Sequence, residues 1–198
     1  MDRSRLKLIG IGGTNGSGKD TLGHILASYY GYLFITVTDL LRDECHKRGL
    51  SVERVNLRKI SAEWRADHGL GVLVDKAIEA YKEVAGQYRG LAAASLRNPG
   101  EADRIHELGG LVIWLDADPK IRYERITSGT GRFRSNRTSE DNKTFEQFMQ
   151  EEKDEMYSSG QEKNALNMLA VKEKADVFIT NDKDQAYLRE QIEKALGL

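Results

Sequence analysis

Seven consecutive residues, Gly13-Thr14-Asn15-Gly16-Ser17-Gly18-Lys19, carry glycines and a lysine at a spacing suited to holding a phosphate group. The glycines let the backbone wrap tightly, so that several N–H groups point at one anion. Lys19 closes the pattern with a point charge for the β- and γ-phosphates of a nucleotide. A Ser or Thr that ligates Mg²⁺ usually comes next, but here the position is Asp20, followed by Thr21. A carboxylate is a strong oxygen ligand for Mg²⁺. Beside a triphosphate its charge is tolerable only with a cation in between. In the other reading Asp20 faces away and Thr21 supplies the oxygen. Adjacent helical residues point about 100° apart, so only one of the two is expected to face the site.

Three further positions have residue types suited to a second substrate. Asp39 follows a short apolar run, with Arg42 three residues on. Ligands of open parallel sheets sit beyond the strand C-termini, so Asp39 is placed to act as a base or to bind a hydroxyl. It is equally well placed to cap the helix that follows. Arg97 stands after another candidate strand and suits an anion. Arg122, Arg125, Arg132, Arg134 and Arg137 cluster where a helix runs into a polar loop. Cations on a closing loop are what phosphoryl transfer needs around the migrating group.

These residues need a frame. Leu6–Ile11, Leu33–Ile35, Gly90–Ala94, Leu111–Leu115 and Val177–Ile179 read as short buried strands. The alanine-rich third is the weakest of them. Lys19–Tyr30, Leu40–Lys47, a helix capped by Ser51, one from Leu73 to Tyr81, one opened by Pro99, one opened by Pro119, and a closing Leu188–Leu196 segment read as helices. Leu57, Ile60 and Trp64 share one helix face, and Trp64 and Tyr81 are expected in the core or in a pocket wall. Strands alternating with helices predict an α/β fold, a parallel sheet covered on both faces. Ser128–Thr144 is polar and nearly without apolar side chains, and reads as a mobile surface loop.

Composition narrows the function classes. The 198 residues carry 30 Lys+Arg against 31 Asp+Glu, so there is no basic excess with which to grip nucleic acid. The single cysteine, Cys45, forms neither an internal disulfide nor a cysteine metal site, and the four histidines form no ligand-spaced pair. The apolar run Leu8–Ile11 is too short for a signal segment, and no stretch approaches a membrane span. A cytoplasmic protein is expected, with its oligomeric state open.

With these residues in place, the chain resembles the P-loop kinases of the dephospho-CoA kinase and nucleoside monophosphate kinase group over nearly its whole length. Thr38-Asp39-Leu40-Leu41-Arg42 is similar to the group's strand-to-helix substrate segment, and Ser95-Leu96-Arg97-Asn98-Pro99 to its Ile-Arg-Ser-Pro stretch. Ala94 and Ser95 stand where related members carry an Asp-Gly pair. Ala175–Asn181 is similar to the last strand, whose exit loop borders adenine in the group, which implies a nucleotide contact for Asn181. The resemblance implies a five-stranded P-loop fold with a core of residues 1–39, 89–127 and 165–198. It also implies a helical acceptor-binding insertion over 40–88 and a lid over 128–164. It implies an ATP- and Mg²⁺-dependent phosphotransferase that moves the γ-phosphate to a phosphorylated small molecule. A nucleoside monophosphate is the first candidate acceptor. The alternatives are dephospho-CoA kinase and a non-catalytic nucleotide-binding protein. Lys19, Asp39, Arg132 and Arg137 are the expected catalytic residues, the Gly13–Thr21 loop the nucleotide site, Asp20 the metal ligand, and Asp39, Arg42 and Arg97 the acceptor contacts.

Overall fold

The computed structural model describes residues 7–128, 143–157 and 166–198. Five strands, β1 (Leu8–Gly13), β2 (Tyr32–Thr36), β3 (Gly90–Leu96), β4 (Leu111–Asp116) and β5 (Val177–Thr180), form one parallel sheet in the order β2-β3-β1-β4-β5. Helices cover both faces, as the alternating pattern predicts.

One face is apolar through Ile9 and Ile11 of β1 and Ile113 and Leu115 of β4. Against it pack Leu22, Ile25 and Leu26 of α1 (Lys19–Tyr30) and Leu188, Ile192 and Leu196 of α9 (Gln185–Leu196). The other face takes Ala77 of α4 (Val72–Lys82), Ile105 of α5 (Pro99–Glu107) and Val171 of α8 (Met168–Glu173). Strand side chains alternate between faces, so Gly10 falls on this second face. A Cβ there would come within 2.8 Å of Leu96 Cδ1. Close packing also explains β3. All seven of its residues are buried between β1 and β2, and small side chains fit a strand covered on both faces. The strand therefore continues two residues past the expected Ala94.

A third apolar cluster lies off the sheet, among α2 (Val37–Lys47), α3 (Arg54–His68) and α4. Val37, Leu41, Cys45, Ile60, Trp64 and Leu73 form it, and Leu57 packs against it. The expected core position of Trp64 thus holds. Two helix starts differ from the sequence reading. α2 begins at Val37 because the Thr36 side chain accepts from the Asp39 N–H at 3.0 Å. α3 follows Glu53, whose side chain makes no capping hydrogen bond, and Ser51 accepts from Asn56 Nδ2.

α6 (Pro119–Thr127) and α7 (Phe145–Met156) pack through Tyr123 against Phe145 and Phe148. The greater part of the expected Ser128–Thr144 loop, with Arg132, Arg134 and Arg137, lies outside the described residues. Among the described residues, no helix is long and apolar enough to cross a membrane.

Candidate functional site

The glycine-rich loop runs from the end of β1 into α1, and its conformation explains its composition. Gly13 has φ +148°, and a Cβ there would sit 2.1 Å from the Leu115 carbonyl oxygen. Gly18, the residue before α1, has φ +98°. Neither position accepts a side chain without strain. Side chains brace the loop through its carbonyls. Lys19 Nζ donates to Gly13 O at 2.9 Å and to Thr14 O at 2.6 Å. Arg122 Nη1 donates to Asn15 O at 3.3 Å, and Asn181 Nδ2 to Ser17 O at 2.8 Å. Thr14 Oγ1 donates to Asp116 Oδ1 at 2.6 Å. α1 starts here and adds the positive end of its dipole.

The loop forms one wall of a cavity of about 550 Å³, within the range that holds a small-molecule ligand. Asn15, Gly16, Gly18, Lys19, Asp20 and Thr21 contribute to that wall. Both Asp20 and Thr21 reach it, contrary to the expectation that only one would. Neighbours about 100° apart on the first turn of α1 thus both border the cavity. Among the described residues, no group of three or more His, Cys, Asp or Glu is arranged to hold a metal ion. At the loop itself the oxygen donors that line the cavity are the Asp20 carboxylate and the Thr21 hydroxyl. That suits a hard cation that takes its remaining oxygens from phosphate and water, the habit of Mg²⁺.

At one end the cavity is lined by Arg125, Asn181 and Lys183. Burial lowers the pKa of the Arg125 guanidinium below its ordinary value, opposed by Asp182. Its Nη1 is buried with no hydrogen-bond partner. Arg122, from the same cluster, has a different place. It is buried, donates to Ala117 O at 2.8 Å and forks onto Glu152, which ties α6 to α7.

The other end is the expected acceptor side. Arg42 and Arg97 line it. Asp39 does not. It lies in the first turn of α2, exposed, with Oδ1 taking Arg42 Nη1 at 2.6 Å. The helix starts three residues before the expected Leu40, so Asp39 is neither a loop residue nor the cap. Ser95 also lines the cavity and is the one non-glycine with positive φ, +72°, among the described residues. That value suits the glycine for which Ser95 substitutes in the resembled pattern. Ser95→Gly is expected to raise unfolding free energy by about 1 kcal/mol, the strain that an L side chain carries there. Chemical denaturation would show it, and a loss of stability would mean that the Ser95 side chain contributes more than its backbone strain costs.

Sequence reasoning missed four residues on this side. Arg54, Arg58, Ser61 and Arg65 of α3 all line the cavity. Their spacing of four, three and four puts them on one helix face beside the apolar stripe of Leu57, Ile60 and Trp64, a periodicity that a solvated helix face shares. Glu155 of α7 joins them from about a hundred positions away, and no local pattern announces it. Arg65 Nη2 also donates to Glu101 Oε1 at 2.8 Å, with both side chains almost fully buried. Glu101 Oε2 in turn accepts from the Arg97 and Asn98 N–H groups.

The family profile described as the AAA domain matches residues 9–146. The chain belongs to the AAA-domain family. Among curated relatives, a UPF0200 protein of Pyrobaculum aerophilum is 28% identical over 146 residues, 73% of this chain and 74% of its own length. One of Pyrococcus abyssi is 25% identical over 190 residues, covering 94% of this chain and 93% of its own. Among solved structures, shikimate kinase from Bacteroides thetaiotaomicron superposes with a TM-score of 0.61 at 15% identity, covering 97% of this chain and 99% of that one. TT1252 from Thermus thermophilus gives 0.56 at 16% identity, covering 97% and 96%. The fold of this AAA-domain chain is thus the P-loop kinase fold, an α/β architecture with a five-stranded parallel sheet.

Proposed function

We propose that the protein is a small-molecule kinase that transfers the γ-phosphate of ATP to a phosphorylated acceptor, with a nucleoside monophosphate as the first candidate and dephospho-CoA as the second. The observation that carries this reading is a single cavity that joins the glycine-rich loop to a wall of arginines on α3 and at the end of β3. In this reading the Gly13–Thr21 loop holds the nucleotide phosphates. Arg125 and Asn181 lie on the side of the base. α3, α4 and the greater part of α2, within residues 40–88, form the acceptor side, where Arg42 and Arg97 meet the acceptor and Asp39 acts by holding Arg42 in place. Arg132 and Arg137, in the proposed lid of residues 128–164, close on the transferring group and keep water away from it.

Asp20, with Thr21 beside it, is the proposed Mg²⁺ ligand. Bound there, the ion would offset the charge of the β- and γ-phosphates. Without it, two unit charges at about 4 Å repel by about 4 kcal/mol at an effective dielectric of 20. Asp20→Asn is therefore expected to raise the Mg²⁺ concentration needed for half-maximal turnover, and Asp20→Ser to recover part of the loss. An unchanged Mg²⁺ dependence in Asp20→Asn would remove the carboxylate from the metal site.

The test of the reading is an ATP-consumption screen against ribo- and deoxynucleoside monophosphates and dephospho-CoA. ATP loss that depends on one acceptor, with a phosphorylated product, is the expected result. ATP loss that is indifferent to acceptor would replace the kinase with an ATPase. The second reading is a non-catalytic nucleotide-binding protein. It is favoured by Ala94, fully buried in β3, where the resembled kinases carry an acid.

A further inference from the structure

Four side chains from three elements meet at the acceptor end of the cavity. Glu155 of α7 sets Oε2 2.8 Å from Arg97 Nη1, and Oε1 3.4 Å from Arg54 Nη1 and 3.5 Å from Arg58 Nη2. The carboxylate side chain is only 10% exposed, whereas the Arg97, Arg54 and Arg58 side chains keep 31%, 38% and 57%. Three guanidinium groups thus converge on one sunken anion, with their outer edges turned to the cavity. Burial pushes the Glu155 pKa up. Arg97, Arg54 and Arg58 outweigh that and hold it below the ordinary carboxylate value, so Glu155 is charged at neutral pH. Glu151 lies 3.5 Å from Arg54 and is itself matched by Lys143 at 2.6 Å. Among the described residues, these ion pairs set four cations against two carboxylates.

Arginines that converge in a cavity shared with a glycine-rich loop make a site for an external anion. Here the chain supplies an anion of its own. We propose that Arg54, Arg58 and Arg97 form the subsite for a phosphate monoester and that Glu155 is its resident competitor, displaced when the phosphate binds. A phosphate dianion brings two charges and three oxygens against one charge and two oxygens, and it forks better onto several guanidinium groups. A carboxylate ligand would exchange like for like and gain little. The subsite is therefore closed to neutral compounds and discounted for carboxylates. Its apparent phosphate affinity is reduced by the fraction of molecules in which Glu155 still holds the arginines. The inference rests on the kinase reading only in calling the phosphate the acceptor's; anion binding at these arginines stands without it.

The test is calorimetric titration of the full chain with inorganic phosphate and, separately, acetate. The proteins compared are the wild type, Glu155→Gln, and Glu155→Gln combined with Arg54→Ala and Arg58→Ala. Glu155→Gln is expected to bind phosphate at least about tenfold more tightly than the wild type, with a smaller gain for acetate, and the triple variant to lose the gain. Because any phosphate held by the glycine-rich loop is common to all three proteins, the difference reports on the arginines. Equal or weaker phosphate binding in Glu155→Gln, or a gain that survives loss of both arginines, would overturn the proposal. So would an acetate gain as large as that for phosphate. Melting curves guard against a folding defect: phosphate should raise the Tm of Glu155→Gln more than that of the wild type. A lowered Tm that phosphate does not restore would make Glu155 a structural tie and sink the competitor role. The kinase reading fails by a different result, the absence of ATP turnover with every acceptor.

Discussion

Lys19→Ala is expected to lower ATP-dependent turnover by about 10²–10³-fold, the usual cost of removing one preorganised donor from a site where charge develops. Lys19 Nζ bonds to Gly13 O and Thr14 O, which holds the ammonium at the glycine-rich loop. Lys19→Arg is not expected to rescue the loss, because a planar fork does not reproduce a compact ammonium on those two carbonyls. Nucleotide affinity should fall together with turnover, by about tenfold or more. Steady-state turnover and direct ATP titration check both. Turnover and binding at wild-type levels in Lys19→Ala would mean that the loop is not the nucleotide site.

The second large effect concerns stability. Glu101→Gln is expected to lower unfolding free energy by about 3–5 kcal/mol, the usual result when one partner of a buried ion pair loses its charge. Glu101 is fully buried, faces Arg65 at 2.8 Å, and accepts the N–H groups of Arg97 and Asn98 at the start of α5. One carboxylate thus joins α3, the end of β3 and α5, and so fixes two walls of the cavity at once. Gln keeps the size of the side chain but replaces one accepting oxygen with an amide NH2, so it removes the charge and also leaves a donor on one side without its acceptor. The double variant Arg65→Met with Glu101→Gln should be more stable than Glu101→Gln alone, because it also removes the cation that the lost carboxylate had faced. Urea denaturation of the single and double variants measures both. A loss below about 1 kcal/mol in Glu101→Gln would show that the pair is not what ties α3 to the core.

The sequence alone determined the frame and the glycine-rich-loop half of the candidate site. Those signals are local: a glycine pattern whose turns no other residue fits, apolar runs of strand length, and prolines that open helices at Pro99 and Pro119. Each is written within a dozen residues, so a linear reading finds it. Even there, capping geometry moved one boundary. Thr36 rather than Asp39 caps α2, which turns Asp39 from a cavity candidate into the holder of Arg42. Whether Asp20 or Thr21 faced the cavity was likewise undecidable from the helical period, because the answer depends on how far the cavity wraps α1.

The arginine end was decided by tertiary structure. Arg54 and Arg58 announce themselves only as a polar stripe on α3, which in a sequence is indistinguishable from a solvated helix face. They become a site because the α2–α3–α4 cluster turns that face toward the end of β3, and because α7 brings Glu155 against it from 101 residues away. Convergence of like charges is unfavourable in itself and leaves no periodic trace in the chain. It persists because packing elsewhere holds the helices in place and a distant carboxylate compensates the charge.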